Sequence, residues 1–172
     1  HILTDVIKIV NDIKSRNFKP VYFLCGEEAY DIDRISDLIE ETALTEDEKA
    51  FNQIVLYGRD TSVEEIVSTA KRFPMMADYQ VVIVKEAQNL VKTFENFANY
   101  MANVQPTTIL DFAYRAKPDG RKKIFKTIKD IGVYFESKKL YDNQVPEWIV
   151  KVLKGQNYGI EPKAAAMLAE FL

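Results

Sequence analysis

Residues 20–34 read PVYFLCGEEAYDIDR. Five apolar, β-prone residues, Val21 to Cys25, run straight into Gly26. A helical spacing follows at Ile32, Ile35, Leu38 and Ile39. A strand, a glycine and a helix in close succession form the junction where nucleotide-binding α/β proteins build a phosphate cradle. Two glutamates, Glu27 and Glu28, stand beside the glycine. This junction decides both the fold class and the first question about function.

Working outward, the same alternation repeats. Val6, Val10 and Ile13 predict an amphipathic helix over residues 4–15. NQIVLYG, residues 52–58, predicts a second strand ended by Gly58. Ser62 and Glu65 have the spacing of a capping box, and the helix behind them is expected to turn Val63, Ile66, Val67, Ala70 and Phe73 inward. Pro74 disfavours helical geometry at Phe73, so that helix ends or kinks there. The uninterrupted Val81-Val82-Ile83-Val84 predicts a strand buried on both faces, as in a parallel sheet. Leu90, Phe94, Phe97, Ala98 and Met101 predict a helix, TTILDFA a fourth strand, Ile124, Phe125, Ile128 and Ile131 a helix closed by Gly132, and GVYFES a fifth strand. Five such alternations predict a three-layered α/β domain with a mostly parallel five-stranded sheet.

The pattern changes after about residue 143. Pro146 suits the first turn of a helix carrying Trp148, Ile149, Val152 and Leu153, with Gly155 as its stop, and Glu161-Pro162 begins another. The expected division is an α/β domain over 1–142 and the start of a small helical domain over 143–172. The closing AAAMLAEFL stops within an apolar helical pattern, so the expectation is a fragment of a longer protein.

The chain has 172 residues, of which 47% are hydrophobic and 28% charged, enough for one good core. Its net charge of -3 gives no general attraction to nucleic acid, so any such contact needs a local basic patch. One cysteine, Cys25, excludes an internal disulfide framework and favours a reducing, cytoplasmic compartment. No apolar run approaches the length of a membrane span.

A working phosphate loop reads G-x-x-x-x-G-K-[ST]: its amides cradle phosphate, its lysine neutralises charge and its hydroxyl binds magnesium. Counted from Gly26, those last three positions hold Asp31, Ile32 and Asp33. With Glu27 and Glu28, four carboxylates crowd the place a triphosphate would occupy. Like charges about 4 Å apart repel by about 4 kcal/mol at an effective dielectric of about 20. The third strand runs into Lys85-Glu86, with a lysine where a magnesium-binding acid commonly stands. No cofactor and no metal are expected.

The chain resembles the delta subunit of the bacterial DNA polymerase III clamp loader over roughly residues 15–172. The likeness rests on PVYFLCGEEAYDIDR, on GRDTSVEEIVSTAKRFPMMADYQVVIVKEAQNL at 58–90 and on AKPDGRKKIFKTIKDIGVYFES at 116–137. No single motif carries it; the order of several loose ones does. The resemblance implies an AAA+-type (RecA-like, P-loop-type) first domain with a degenerate phosphate loop at Gly26, Glu27, Glu28, Asp31, Ile32 and Asp33. It implies no ATPase activity of its own, and a helical lid that begins after the first domain. It further implies a cytoplasmic, non-catalytic DNA-replication subunit of a holoenzyme that is itself a DNA-directed DNA polymerase, a nucleotidyltransferase. The implied partners are the sliding clamp (the beta subunit), which it binds and opens, other clamp-loader subunits, and primed DNA through the complex. Two neighbouring apolar residues that enter the clamp fall on Met75 and Met76, with Phe73 and Pro74 shaping the tip. Family members often carry leucine and phenylalanine there, and the two methionines depart from that.

From the residues alone, Met75 and Met76 have two open readings. Adjacent side chains cannot easily share one core, so an exposed pair suited to a partner's groove is one; packing beneath the next strand is the other. Cys25 lacks a base, since the single histidine is His1 and the neighbouring charges are acidic, so it reads as a buried structural thiol. Glu27 and Glu28 read as caps of the following helix or as solvated residues. Arg115, Lys117, Arg121, Lys122, Lys123, Lys126 and Lys129 stand against Asp119 and Asp130. They form either a contact for DNA or a partner subunit, centred on residues 115–123, or a solvated helix face. Phe94, Phe97 and Tyr100 fit a core stripe better than a base-stacking platform. The alternative functions are a nucleotide hydrolase with an unusual loop and a receiver-type signalling or interaction module. A receiver wants a phosphoacceptor aspartate after the third strand, where Lys85 stands.

Overall fold

A computed structural model describes residues 2–138, with side chains from residue 5 onward. The expected helical domain at 143–172 and its boundary lie outside the described residues.

Five strands, β1 (Val21–Cys25), β2 (Gln53–Tyr57), β3 (Gln80–Lys85), β4 (Thr108–Tyr114) and β5 (Val133–Glu136), form one sheet in the order β2-β3-β4-β1-β5. Every pairing is parallel. The inner strands β1 and β4 are buried along their whole length, as a sheet covered on both faces requires.

Strand alternation then sorts the side chains into two cores. Tyr22, Leu24, Val81, Ile83 and Ile109 meet α1 (Ile2–Lys14) and α2 (Ala29–Ala43) on one face, through Val10, Ile13, Ile32, Ile35 and Ile39. Phe23, Cys25, Val82, Val84 and Phe112 meet α4 (Val63–Ala70), α5 (Ala98–Ala102) and α6 (Lys123–Ile131) on the other. Phe23 lies at the centre of that second core, with the rings of Phe94, Phe125, Tyr114 and Tyr134 between 5.0 and 5.4 Å away. The three-layered α/β architecture is the expected one, and Phe94, Phe97 and Tyr100 are core residues.

The local differences have local causes. A helix that the periodicity does not announce, α3 (Glu46–Asn52), starts at Thr45, which forms the full capping box with Glu48. It ends at Asn52, so β2 begins one residue later than expected. At Ser62 only half the expected box forms: the Ser62 hydroxyl accepts the Glu65 N–H at 3.1 Å, while the Glu65 carboxylate takes the Thr61 hydroxyl. The helix expected through Leu90 to Met101 is broken into two 3₁₀ turns, Ala87–Leu90 and Phe94–Phe97, before α5. Asn89, Thr93 and Asn96 are poor helix formers, and the aromatic rings are held by tertiary packing rather than by helical periodicity.

Phe73 is the main correction. It does not turn inward; it is 78% exposed. The helix α4 stops at Ala70, a turn before Pro74 would demand it. Buried Gln80 lies against this end: its Nε2 donates to the carbonyls of Thr69 and Ala70, the last two helical residues, at 2.9 and 3.3 Å, and to that of Arg72 in the turn that follows at 2.9 Å. With the helix ended at Ala70, no helical phase brings Phe73 beneath its neighbours.

Candidate functional site

The loop between α4 and β3 carries a concentrated apolar surface. Met75 is 58% and Met76 95% exposed, and Phe73 stands beside them, with Pro74 half-buried. Of the two readings left open by the sequence, the methionines take the exposed one. Exposed apolar side chains grouped on one loop differ from the isolated ones that any surface carries. Met76 has φ 55, in the left-handed region that bulky side chains avoid.

The backbone of this tip is anchored. Asn52, at the end of α3, is buried; its Oδ1 accepts the Met75 N–H at 2.6 Å and its Nδ2 donates to the Met75 carbonyl at 2.9 Å. Gln80 anchors the preceding turn as described, and Thr108 donates to the Ala70 carbonyl. Sequence reasoning misses all three residues. Nothing local marks them, because their partners lie 23, 11 and 38 positions away.

The glycine junction is short. Only Gly26, Glu27 and Glu28 separate β1 from α2. Asp31, Ile32 and Asp33 therefore lie within α2, Asp31 in its first turn, rather than in the loop before it. Ile32, at the lysine position of a phosphate loop, is fully buried in the α1–α2 core. Gly26, at φ 116, directs its N–H at the carbonyls of Tyr114 and Ala116, at 3.1 and 3.0 Å, so that amide is not free to meet an anion. A Cβ on Gly26 would come within 2.5 Å of Ser137, which only glycine tolerates.

Glu27 and Glu28 are exposed, and Glu28 occupies the N-cap position of α2 without a side-chain cap bond. Of the two readings for this pair, solvation holds and capping does not. Burial first, and then the charge of Glu28, push the Asp31 carboxyl up. A cleft of about 570 Å³ at this end is lined by Glu27, Glu28 and Glu136 against Lys117 and Lys138. Burial pushes the Cys25 thiol up to about 11, which suits a structural thiol.

At the carboxyl ends of β3 and β4 a second cleft, of about 400 Å³, is lined by Asp33, Asp37, Glu40, Lys85 and Arg115 among others. Beneath it lies Asp111, fully buried, whose Oδ2 accepts the Ser36 hydroxyl while Oδ1 has no partner among the described residues. Among the described residues no group of three or more His, Cys, Asp or Glu side chains is placed to hold a metal ion.

The basic segment is divided by its neighbours. Arg115 pairs with Asp33 at 3.3 Å, Arg121 with Asp119 at 2.9 Å and Lys122 with Glu95 at 3.0 Å. Lys117 and Lys123 are exposed and carry no ion pair among the described residues. Lys129 sits over the Tyr134 ring at 4.6 Å. No described helix is long and apolar enough to cross a membrane.

Residues 22–138 match the family model for the DNA polymerase III delta subunit. The chain is 25% identical to the DNA polymerase III subunit delta of Bacillus subtilis over 173 aligned positions, covering 95% of this chain and 50% of that protein. Among solved structures, the Bacillus subtilis DNA clamp loader delta protein superposes with a TM-score of 0.77 at 24% identity, over 96% of this chain and 54% of the other. A gamma subunit-related protein of DNA polymerase III from Thermotoga maritima superposes with a TM-score of 0.57 at 14% identity, over 95% of this chain and 54% of the other. The chain thus spans about half the length of the relatives it matches.

Proposed function

The chain belongs to the DNA polymerase III delta subunit family, and from that premise we propose that it is a non-catalytic clamp-loader subunit that binds the sliding clamp and favours its opening. The observation that carries this reading is the exposed tip Phe73-Pro74-Met75-Met76, whose apolar side chains face solvent while its backbone is anchored. Methionine is flexible and polarisable, which suits it to a partner's apolar groove. Opening requires that the tip bind the spread ring more tightly than the closed one, because a ligand shifts an equilibrium only by its difference in affinity between the two states.

Nucleotide plays no part at the glycine junction in this reading. The buried Ile32, the engaged Gly26 amide and the surrounding carboxylates all oppose a triphosphate there. Nucleotide is then handled by neighbouring subunits of the assembly. Lys117 and Lys123 are the cations best placed for DNA phosphates or an acidic surface of a neighbour, since Arg115, Arg121 and Lys122 are partly neutralised by their own carboxylates.

The test is a direct titration of the cognate sliding clamp with the chain and with Met75→Ala/Met76→Ala. Fully burying one methionine side chain contributes about 1.5–3 kcal/mol. With Met76 almost wholly and Met75 about half available for burial, the expected loss is about 2–4 kcal/mol. That corresponds to about 30- to 700-fold weaker binding. Affinity unchanged by the double substitution would refute the assignment.

A further inference from the structure

The side chain of Asn52 commits both of its donor hydrogens to carbonyls and its oxygen to one backbone amide. Nδ2 donates to the carbonyl of Glu48 in its own helix and to the carbonyl of Met75, each at 2.9 Å. Oδ1 accepts the Met75 N–H at 2.6 Å. The opposite orientation of the amide would set N–H against N–H and oxygen against two carbonyls, so the contacts fix which end is which. Asn52 is 1% exposed. A buried amide that bonds both backbone groups of one loop residue does what a neighbouring strand would do for it.

We propose that Asn52 is a positioning residue for the apolar tip. Through the Met75 backbone it holds Met75 and Met76 in the outward conformation that meets the sliding clamp. The proposal rests on the reading of the tip as the clamp-binding element and deepens it. Met76, next along the chain, has the left-handed φ of 55. A bulky residue keeps such a backbone only when its surroundings over-determine it. Gln80 secures the turn before the tip through Thr69, Ala70 and Arg72, and Asn52 secures the tip itself. A segment ordered before docking loses less conformational freedom on docking, so the anchor acts on affinity without touching the partner.

The test compares Asn52→Ala and Asn52→Leu with the unaltered chain, using titration of the cognate sliding clamp and amide hydrogen exchange. Both variants are expected to bind about 10- to 100-fold more weakly, as loss of ordering at one or two residues implies. The Met75 amide loses protection in both, while the amides of β3 and β4 keep theirs. In the Met75→Ala/Met76→Ala background, Asn52→Ala is expected to add less than about twofold, because the anchor then holds side chains that no longer matter. Affinity within about twofold of the unaltered chain would overturn the proposal, as would an unchanged loss in the methionine-free background or unchanged exchange at Met75. Leucine has the same branching and number of side-chain heavy atoms as asparagine, so it leaves no cavity if alanine unfolds the chain. Unfolding of both variants would make Asn52 a residue of the fold alone and also overturn the proposal. If the methionine pair itself leaves affinity unchanged, the tip reading fails, and the exchange result still decides whether Asn52 holds the segment.

Discussion

Replacing Asp111 with asparagine should make the protein more stable at alkaline pH and remove part of its pH dependence. Asp111 lies within β4, fully buried between Ser36 of α2 and the sheet, with one carboxylate oxygen lacking a partner among the described residues. Burial pushes its carboxyl up to about 7; the Ser36 hydroxyl opposes that, the charges of Glu40 and Asp37 add to it, and Lys85 offsets them. The ordinary value is 3.8. Below about pH 4 both folded and unfolded chains hold the proton, so the group contributes nothing to pH dependence. Between about 4 and 7 the folded chain keeps a proton that the unfolded chain has released, so stability falls as pH rises. Above about 7 both states are ionised and the full cost of burying the charge is present. Raising the carboxyl from 3.8 to about 7 corresponds to about 4 kcal/mol. Urea unfolding of both proteins at pH 5, 6, 7 and 8 measures this. The Asp111→Asn protein is expected to gain about 2–4 kcal/mol over the unaltered one between pH 5 and pH 8. A stability difference that stays the same at pH 5 and pH 8 would show that the carboxyl is not proton-linked to folding, and the reasoning would fail.

The glycine junction gives two further expectations, beside those already attached to the methionine pair and to Asn52. Gly26→Ala should destabilise the chain by at least about 1–3 kcal/mol through backbone strain at φ 116, with contact against Ser137 adding to it; a urea midpoint equal to that of the unaltered chain would remove the strain claim. Titration with ATP and magnesium should show no saturation up to about 1 mM, a limit near 4 kcal/mol of binding free energy. Tight binding abolished by a change at Gly26 would restore a nucleotide role.

Short apolar, β-prone runs alternating with segments of 3.6-residue periodicity were enough to place all five strands and the three-layered arrangement, because run length and helical period follow directly from the geometry of extended and helical backbone. Val81 to Val84 announced a strand buried on both faces and VYFLC an apolar strand, and both runs are buried throughout. The missing elements of a phosphate loop were also legible, since they are matters of residue identity at fixed spacing. A local signal for α3 was present and unused: Thr45 and Glu48 have capping-box spacing.

Other features could not be read from local sequence at any level of care. The inward turn expected for Phe73 failed because α4 ends at Ala70, three residues short of it, where Gln80, ten residues further on, binds the last two helical carbonyls. The burial of Asp111 against the Ser36 hydroxyl depends on packing between residues 75 positions apart in sequence. The anchoring of Met75 by Asn52 spans 23 residues and uses an amide that looks, in sequence, like the first residue of a strand. Local pattern determines which backbone is extended or helical and which side chains must be buried, because those preferences act within a few residues. The direction of an exposed loop, and the identity of the buried polar group that holds it, are decided by hydrogen bonds between segments that only the folded chain brings within 3 Å.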